Sequence, residues 1–163
     1  MLLCSLAWDD SRLESVLRLA ETNPTKALAQ STEIFNQSST LPRVALAHSL
    51  ILNRAEHYLE AQALLLKLES QPLPDSLRAV CRWQRGHAAR QLRHDADFVA
   101  LLEESLTDLL NADLEVDAAR CRRDLAGAYY WAGKSANAIE NERGRRDVRL
   151  CPQRADAKPN EIR

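Results

Sequence analysis

Residues that build sheets and turns are scarce in this chain. Val and Ile together supply 10 of the 163 residues, Gly supplies 4 and Pro 6. So few β-branched residues argue against an all-β domain, and so few glycines argue against a nucleotide fold built on glycine loops. Nor is there a run of the roughly 18 apolar residues that a membrane-spanning helix needs. Charge is nearly balanced: the net value of −1 gives no bulk attraction to nucleic acid or to an anionic membrane. The four cysteines, Cys4, Cys81, Cys121 and Cys151, form no CxxC pair, and none stands at zinc-ligand spacing from a histidine. They read as free thiols. No nucleophile elbow, phosphate loop or HExxH occurs.

What is abundant points to helix. Leu and Ala make up 51 residues, and both enter helices at little cost in side-chain freedom. Apolar content of 45% and charged content of 28% exclude disorder for most of the chain. A chain of 163 residues is one domain's worth; at that size folding buries roughly 70% of the unfolded surface, so no metal or disulfide staple is required.

Apolar residues recur with helical periodicity, and no stretch alternates as a strand would. Asn23-Pro24 and Thr40-Leu41-Pro42 are start signals. Pro72 and Pro74 break the chain ahead of the caps Asp75 and Ser76; Asn111-Ala112-Asp113 and Gly133-Lys134-Ser135 break it again. These marks predict eight helices, near 9–22, 24–37, 41–54, 57–70, 75–92, 95–111, 114–132 and 135–147. The short breaks make neighbours antiparallel. Aligned on the start of each second helix, Ala27, Ala61, Phe98 and Ala138 fall at intervals of 34, 37 and 40. A helix pair recurring near every 34 residues is the mark of an α-solenoid, because a single pair cannot cover its own apolar face.

The last pair carries the clearest pattern. Leu125, Ala126, Tyr129, Gly133 and Ala138 resemble the tetratricopeptide repeat, in which a leucine and a small residue precede a tyrosine, a turn glycine, and an alanine opening the second helix. Small side chains at Ala126 and Ala138 would let the helices approach, Tyr129 would fill the gap beside them, and Gly133 would relax the turn. Tyr58, Ala61 and Gly86 match more loosely, and Phe98 departs from the usual alanine. The resemblance implies an all-α fold, a right-handed α–α superhelix of about four helix pairs over residues 11–148. The last pair departs from the family where Glu142 and Arg145 stand in place of apolar residues, which suits a solvated terminal cap. Residues 149–163, with Pro152 and Pro159 and no pattern, read as a disordered tail. Residues 1–10 are apolar but lack a basic flank; they read either as a signal-peptide remnant, implying a periplasmic protein, or as a strap on the first helix of a cytoplasmic one.

Candidate chemistry is thin. His48, His57, His87 and His94 are the only histidines; His87 and His94 share a helix face near Asp95 and Asp97 but need another element to close a metal site. The adjacent acids Glu103-Glu104 point apart and read as solvated charge. Cys81 and Cys121 hold the same place in successive repeats; stacked helices lie about 8–10 Å apart, beyond the ~7 Å reach of a disulfide, so they are expected to be unbonded. Arginines recur at helical spacing, namely Arg78, Arg82, Arg85, Arg90 and Arg93, then Arg120, Arg122 and Arg123, with Arg143, Arg145, Arg146, Arg149 and Arg154 beyond. They read as a solvated face balanced by the acidic helices of 95–117, or as a basic groove for an acidic peptide, or less favourably for a nucleic-acid strand.

The resemblance also places a groove, since in tetratricopeptide domains the first helix of each pair lines the concave surface. The positions so implied are Arg43, Leu46, Leu50, Asn53 and Arg54; then Trp83, His87, Arg90 and Gln91; then Arg120, Arg123, Gly127, Tyr130 and Trp131. Aromatic and Arg side chains dominate interface energetics, although Trp83 and Trp131 fit packing roles equally well. Leu46 and Leu50 occupy part of the place where the family's chaperone-tail binders hold a terminal carboxylate with Lys and Asn, so that version is unsupported. The sequence texture is also similar to sensory segments that precede diguanylate cyclase or histidine kinase domains in bacteria. The reading that results is a non-catalytic scaffold with a protein or peptide ligand and no cofactor or metal; a nucleic-acid-binding repeat protein and a small helical enzyme are the alternatives.

Overall fold

The computed structural model describes residues 11–92, 98–134 and 137–143. Its helices are α1 (Ser11–Leu19), α2 (Pro24–Ser38), α3 (Pro42–Arg54), α4 (Tyr58–Glu69), α5 (Asp75–Leu92), α6 (Phe98–Asn111) and α7 (Glu115–Trp131), and helical turns resume over 137–143. No strand occurs among the described residues. The readings for residues 1–10 and 149–163, for Cys4, His94 and Cys151, and for Arg93, Arg145, Arg146, Arg149 and Arg154 lie outside the described residues.

Local chemistry explains the boundaries. The Asn23 side chain accepts a hydrogen bond from the Lys26 backbone N–H at 3.0 Å, with Pro24 in the first turn of α2. Pro42 opens α3 behind an extended Leu41. Three junctions then share one arrangement. The N–H groups of His57, Leu114 and Lys134 donate to the carbonyls of Leu52, Leu109 and Tyr129 at 2.9, 2.9 and 2.8 Å, the wide bond of a Schellman stop. Each of those three residues also opens the next helical segment, for its carbonyl accepts from Ala61, Ala118 or Ala138.

The residue before each start is left-handed: Glu56 (φ 64°), Asp113 (φ 56°) and Gly133 (φ 72°). Only one of the three is glycine, and a side chain in that region costs about 1–2 kcal/mol, less for Asp. After the larger unfolded-state entropy of glycine is subtracted, Glu56→Gly is expected to raise the unfolding free energy by about 0.5–1 kcal/mol. Asp113→Gly gains less. Urea denaturation measures both.

Beyond sequence neighbours, α1 touches α3, α3 touches α5 and α5 touches α7, whereas α2, α4 and α6 do not touch one another. The chain is therefore an open row of hairpins, not a bundle about one centre. The leading helices form the inner wall and the trailing helices stand outside it. α3 is buried continuously from Val44 to Asn53, because α1, α2, α4 and α5 all pack on it. Hairpin α5–α6 closes tightly at Gly86, where a Cβ would lie 2.9 Å from Leu102 Cδ2.

The arginine row of α5 is not a solvated face. Arg85 pairs with Glu69 of α4 at 3.0 Å, Arg82 with Asp108 of α6, Arg78 with Asp75 at 3.8 Å, and Arg90 approaches Asp124 of α7 at 4.0 Å. Asp75 is on α5 itself and only Asp108 falls within 95–117; the three pairs to Glu69, Asp108 and Asp124 on neighbouring helices are largely sheltered between them. Burial pushes the Glu69 carboxyl above the usual range, with Arg85 and Arg82 opposing it.

A second buried polar contact joins α2 to α3. His48 Nδ1 lies 2.9 Å from Ser31 Oγ, and Phe35 stacks on the imidazole at 4.7 Å. Burial lowers the His48 pKa, against a smaller opposing effect of Glu60. The unfolded chain thus binds this proton more readily than the folded one, so stability is lost as pH falls below about 6.5. Denaturation midpoints between pH 7 and 5 are expected to fall, and His48→Leu should flatten part of that slope.

Candidate functional site

The inner wall contains a cleft of about 340 Å³ lined by three leading helices, α3, α5 and α7, and by the turn that follows α1. Glu21 lies just past the end of α1; Leu50, Asn53 and Arg54 come from α3, Trp83, Gln84 and His87 from α5, and Arg120, Arg123 and Asp124 from α7. Within each helix one of these positions stands three and four residues from the other two, the spacing that brings side chains onto one stripe.

Asp124 organises the α5–α7 side. It is 4% exposed. Its Oδ2 accepts from Trp83 Nε1–H at 3.0 Å and lies 3.1 Å from His87 Nδ1. Its Oδ1 faces Arg123 at 3.7 Å and Arg90 at 4.0 Å. Burial alone would raise this carboxyl's pKa, but the hydrogen bonds and charge of His87, the Trp83 N–H and the Arg123 guanidinium together hold it below the usual range. Gly127, one helical turn along α7, leaves room for Arg90, whose Nη1 would stand 3.2 Å from a Cβ there. Tyr58 tilts against the His87 ring at 6.3 Å.

The contact between α3 and α5 is uncharged and equally buried. Asn53 Nδ2 donates to both the backbone carbonyl and the side-chain Oε1 of Gln84, each at 3.1 Å. Burial lowers the Arg54 pKa, with Glu21 opposing and the like charges of Arg120 and Arg123 adding to the shift. Arg120 also bonds to Asp117 at 3.2 Å.

Seven of the positions implied by the resemblance line this cleft: Leu50, Asn53, Arg54, Trp83, His87, Arg120 and Arg123. The others stand elsewhere. Leu46 is 1% exposed and belongs to the core, because α3 is enclosed on every side near its middle. Arg43 is exposed at the start of α3, and Gln91 is exposed near the end of α5. Arg90 sits behind the cleft, against Asp124. Tyr130 and Trp131 are 69% and 65% exposed at the end of α7, edge to face with each other and outside the cleft lining. Trp83 is both core and cleft, for the indole is buried while its N–H serves Asp124.

The cleft residues that periodicity and resemblance did not point to are Glu21, Gln84 and Asp124. Asp124 had a signal: with Asp117, Cys121 and Ala128 it falls on the apolar stripe of α7, where a carboxylate must find donors. Cys81 and Cys121 are free and buried. Burial pushes the Cys81 thiol up to about 12 and raises that of Cys121 as well, so both are protonated near neutrality and poor nucleophiles. No three His, Cys, Asp or Glu side chains gather as metal ligands among the described residues. No described helix is long and apolar enough to cross a membrane.

No family model and no curated protein matches the chain. Among solved structures it is similar to "MamA MSR-1 C2", with a TM-score of 0.57 and 16% identity over 85% of this chain and 75% of that one. MamA is a tetratricopeptide-repeat-containing protein, and the likeness extends to the helical solenoid fold.

Proposed function

We propose that this chain is a non-catalytic scaffold that holds a segment of a partner protein against its inner wall, as a regulatory or signalling module. One observation carries the reading: three successive leading helices, with the turn that follows α1, converge on a single cleft in which Asn53 and Trp83 are fixed by bonds between helices before any ligand arrives. Preorganised polar groups reduce the ordering cost of binding. A likeness in fold to a repeat protein supports a role in protein interaction. The neutralised arginine row on α5 speaks against a nucleic-acid-binding stripe there, and the raised cysteine pKa values speak against thiol chemistry.

The test is affinity capture with the full chain and two charge variants. Arg54→Glu/Arg123→Glu reverses the cleft, while Leu59→Glu/Leu66→Glu alters exposed positions of α4 on the outer row. A partner lost with the first variant and kept by the second supports the reading. A partner retained equally by the first would place the binding surface elsewhere and overturn it.

A further inference from the structure

Among the described residues, one polar atom of a cleft-lining side chain has no hydrogen-bond partner. Asn53 is 4% exposed, and its Nδ2 hydrogens are spent on Gln84, but its Oδ1 is buried with no donor. A buried acceptor left so costs about 1–3 kcal/mol unless a ligand supplies an N–H. Beside it in the sequence is Arg54, and across the cleft are Arg120 and Arg123. The acids that face these cations are Glu21 beside Arg54, Asp117 at 3.2 Å from Arg120, and Asp124, which is already engaged by Trp83 and His87 through its other oxygen. Arg90, with a side chain 17% exposed, stays behind Asp124, whereas the Arg123 side chain is 59% exposed. Arg123 can therefore turn into the cleft while Arg90 continues to balance the buried carboxylate.

We propose that the cleft reads one acidic side chain in an extended peptide segment, whose main-chain N–H donates to Asn53 Oδ1 while its carboxylate lies between Arg54 and Arg123, with Arg120 alongside. The proposal rests on the scaffold reading and narrows it to a ligand class. An acceptor for a backbone amide next to paired guanidinium groups suits a peptide carrying Glu or Asp, because one residue then supplies both donor and anion. A neutral peptide would satisfy Asn53 alone.

The experiment titrates the full chain, by NMR or fluorescence anisotropy up to millimolar concentration, with a short capped glycine–serine peptide bearing one central glutamate. Its glutamine counterpart and a version N-methylated at the glutamate amide are compared. The glutamate peptide is expected to bind about tenfold or more tightly than either, in line with the value of a hydrogen bond to a charged group, and to weaken with added salt. Arg54→Gln and Arg123→Gln should each lose about tenfold while circular dichroism and melting stay unchanged. Equal affinity for glutamate and glutamine peptides, no binding of the glutamate peptide, or arginine variants that bind it as the parent does would each overturn the proposal. So would a single-stranded RNA that binds more tightly than the glutamate peptide. If the glutamine peptide binds equally well while a partner captured by affinity still depends on Arg54 and Arg123, the acidic specificity falls and the scaffold reading stands.

Discussion

Asp124→Leu lowers the unfolding free energy by about 3–5 kcal/mol, the usual consequence of removing one member of a buried charge cluster. The leucine fills the space but strands the Trp83 N–H, leaves His87 without its acceptor, and leaves Arg90 without its charge partner. Among the described residues Arg90 Nε has no acceptor, so the loss falls on a side chain with little in reserve. For a chain of this size the melting temperature should drop on the order of 10 °C. Asp124→Asn keeps an acceptor for Trp83 and is expected to cost less, about 1–3 kcal/mol. Acidity separates the two effects. The folded carboxyl titrates below its unfolded value of ~3.9, so its contribution is fully present above that pH and disappears as pH falls toward the folded value. The difference between wild type and Asp124→Asn in urea should therefore shrink as pH is taken from 7 to 3.

Gly86→Ala is expected to change sign with its neighbour. In the wild type the added methyl meets Leu102 at 2.9 Å, and Leu102 is fully buried and cannot withdraw. Overpacking of this kind costs about 1–3 kcal/mol, which outweighs the gain of up to about 1 kcal/mol from replacing a helical glycine. Leu102→Ala alone opens a cavity at a cost of about 2–5 kcal/mol. On that background the clash is gone, and Gly86→Ala should stabilise by about 1 kcal/mol. Denaturation of all four combinations measures the coupling. Additive effects would mean that α5 and α6 do not meet at this pair.

Helix order was legible because capping chemistry is local. Pro24, Pro42, Pro74 and Gly133 each mark a boundary that the fold respects. The stop at Asp113 was marked by Asn111-Ala112-Asp113, and the breaks at both Glu56 and Asp113 fell where the sequence placed them, although the same left-handed turn is made there without glycine. Their common trace is an alanine before the turn and another after it, as in Ala55 with Ala61, Ala112 with Ala118, and Ala132 with Ala138. The cleft was legible only in part. Periodicity gives a face for each leading helix, but α3 is buried along most of its length, so it could not exclude Leu46. Tyr130 and Trp131 looked like anchors by residue type, yet they fall past the turn of α7 that faces α5. Asp124 escaped notice because a carboxylate on a helix suggests solvent until its donors, Trp83 and His87, are known to arrive from 41 and 37 residues away.

The bonds that shape the cleft are also the seams of the array. Asn53 to Gln84 ties the second hairpin to the third, and Trp83 and His87 to Asp124 tie the third to the fourth. The outer helices are out of mutual contact, and each packs on the leading helix of the next hairpin, so this inner line carries one part of the bending resistance between hairpins. A molecule seated there presses on the joints that set the curvature, so occupancy and stiffness of the whole row are coupled through the same few side chains.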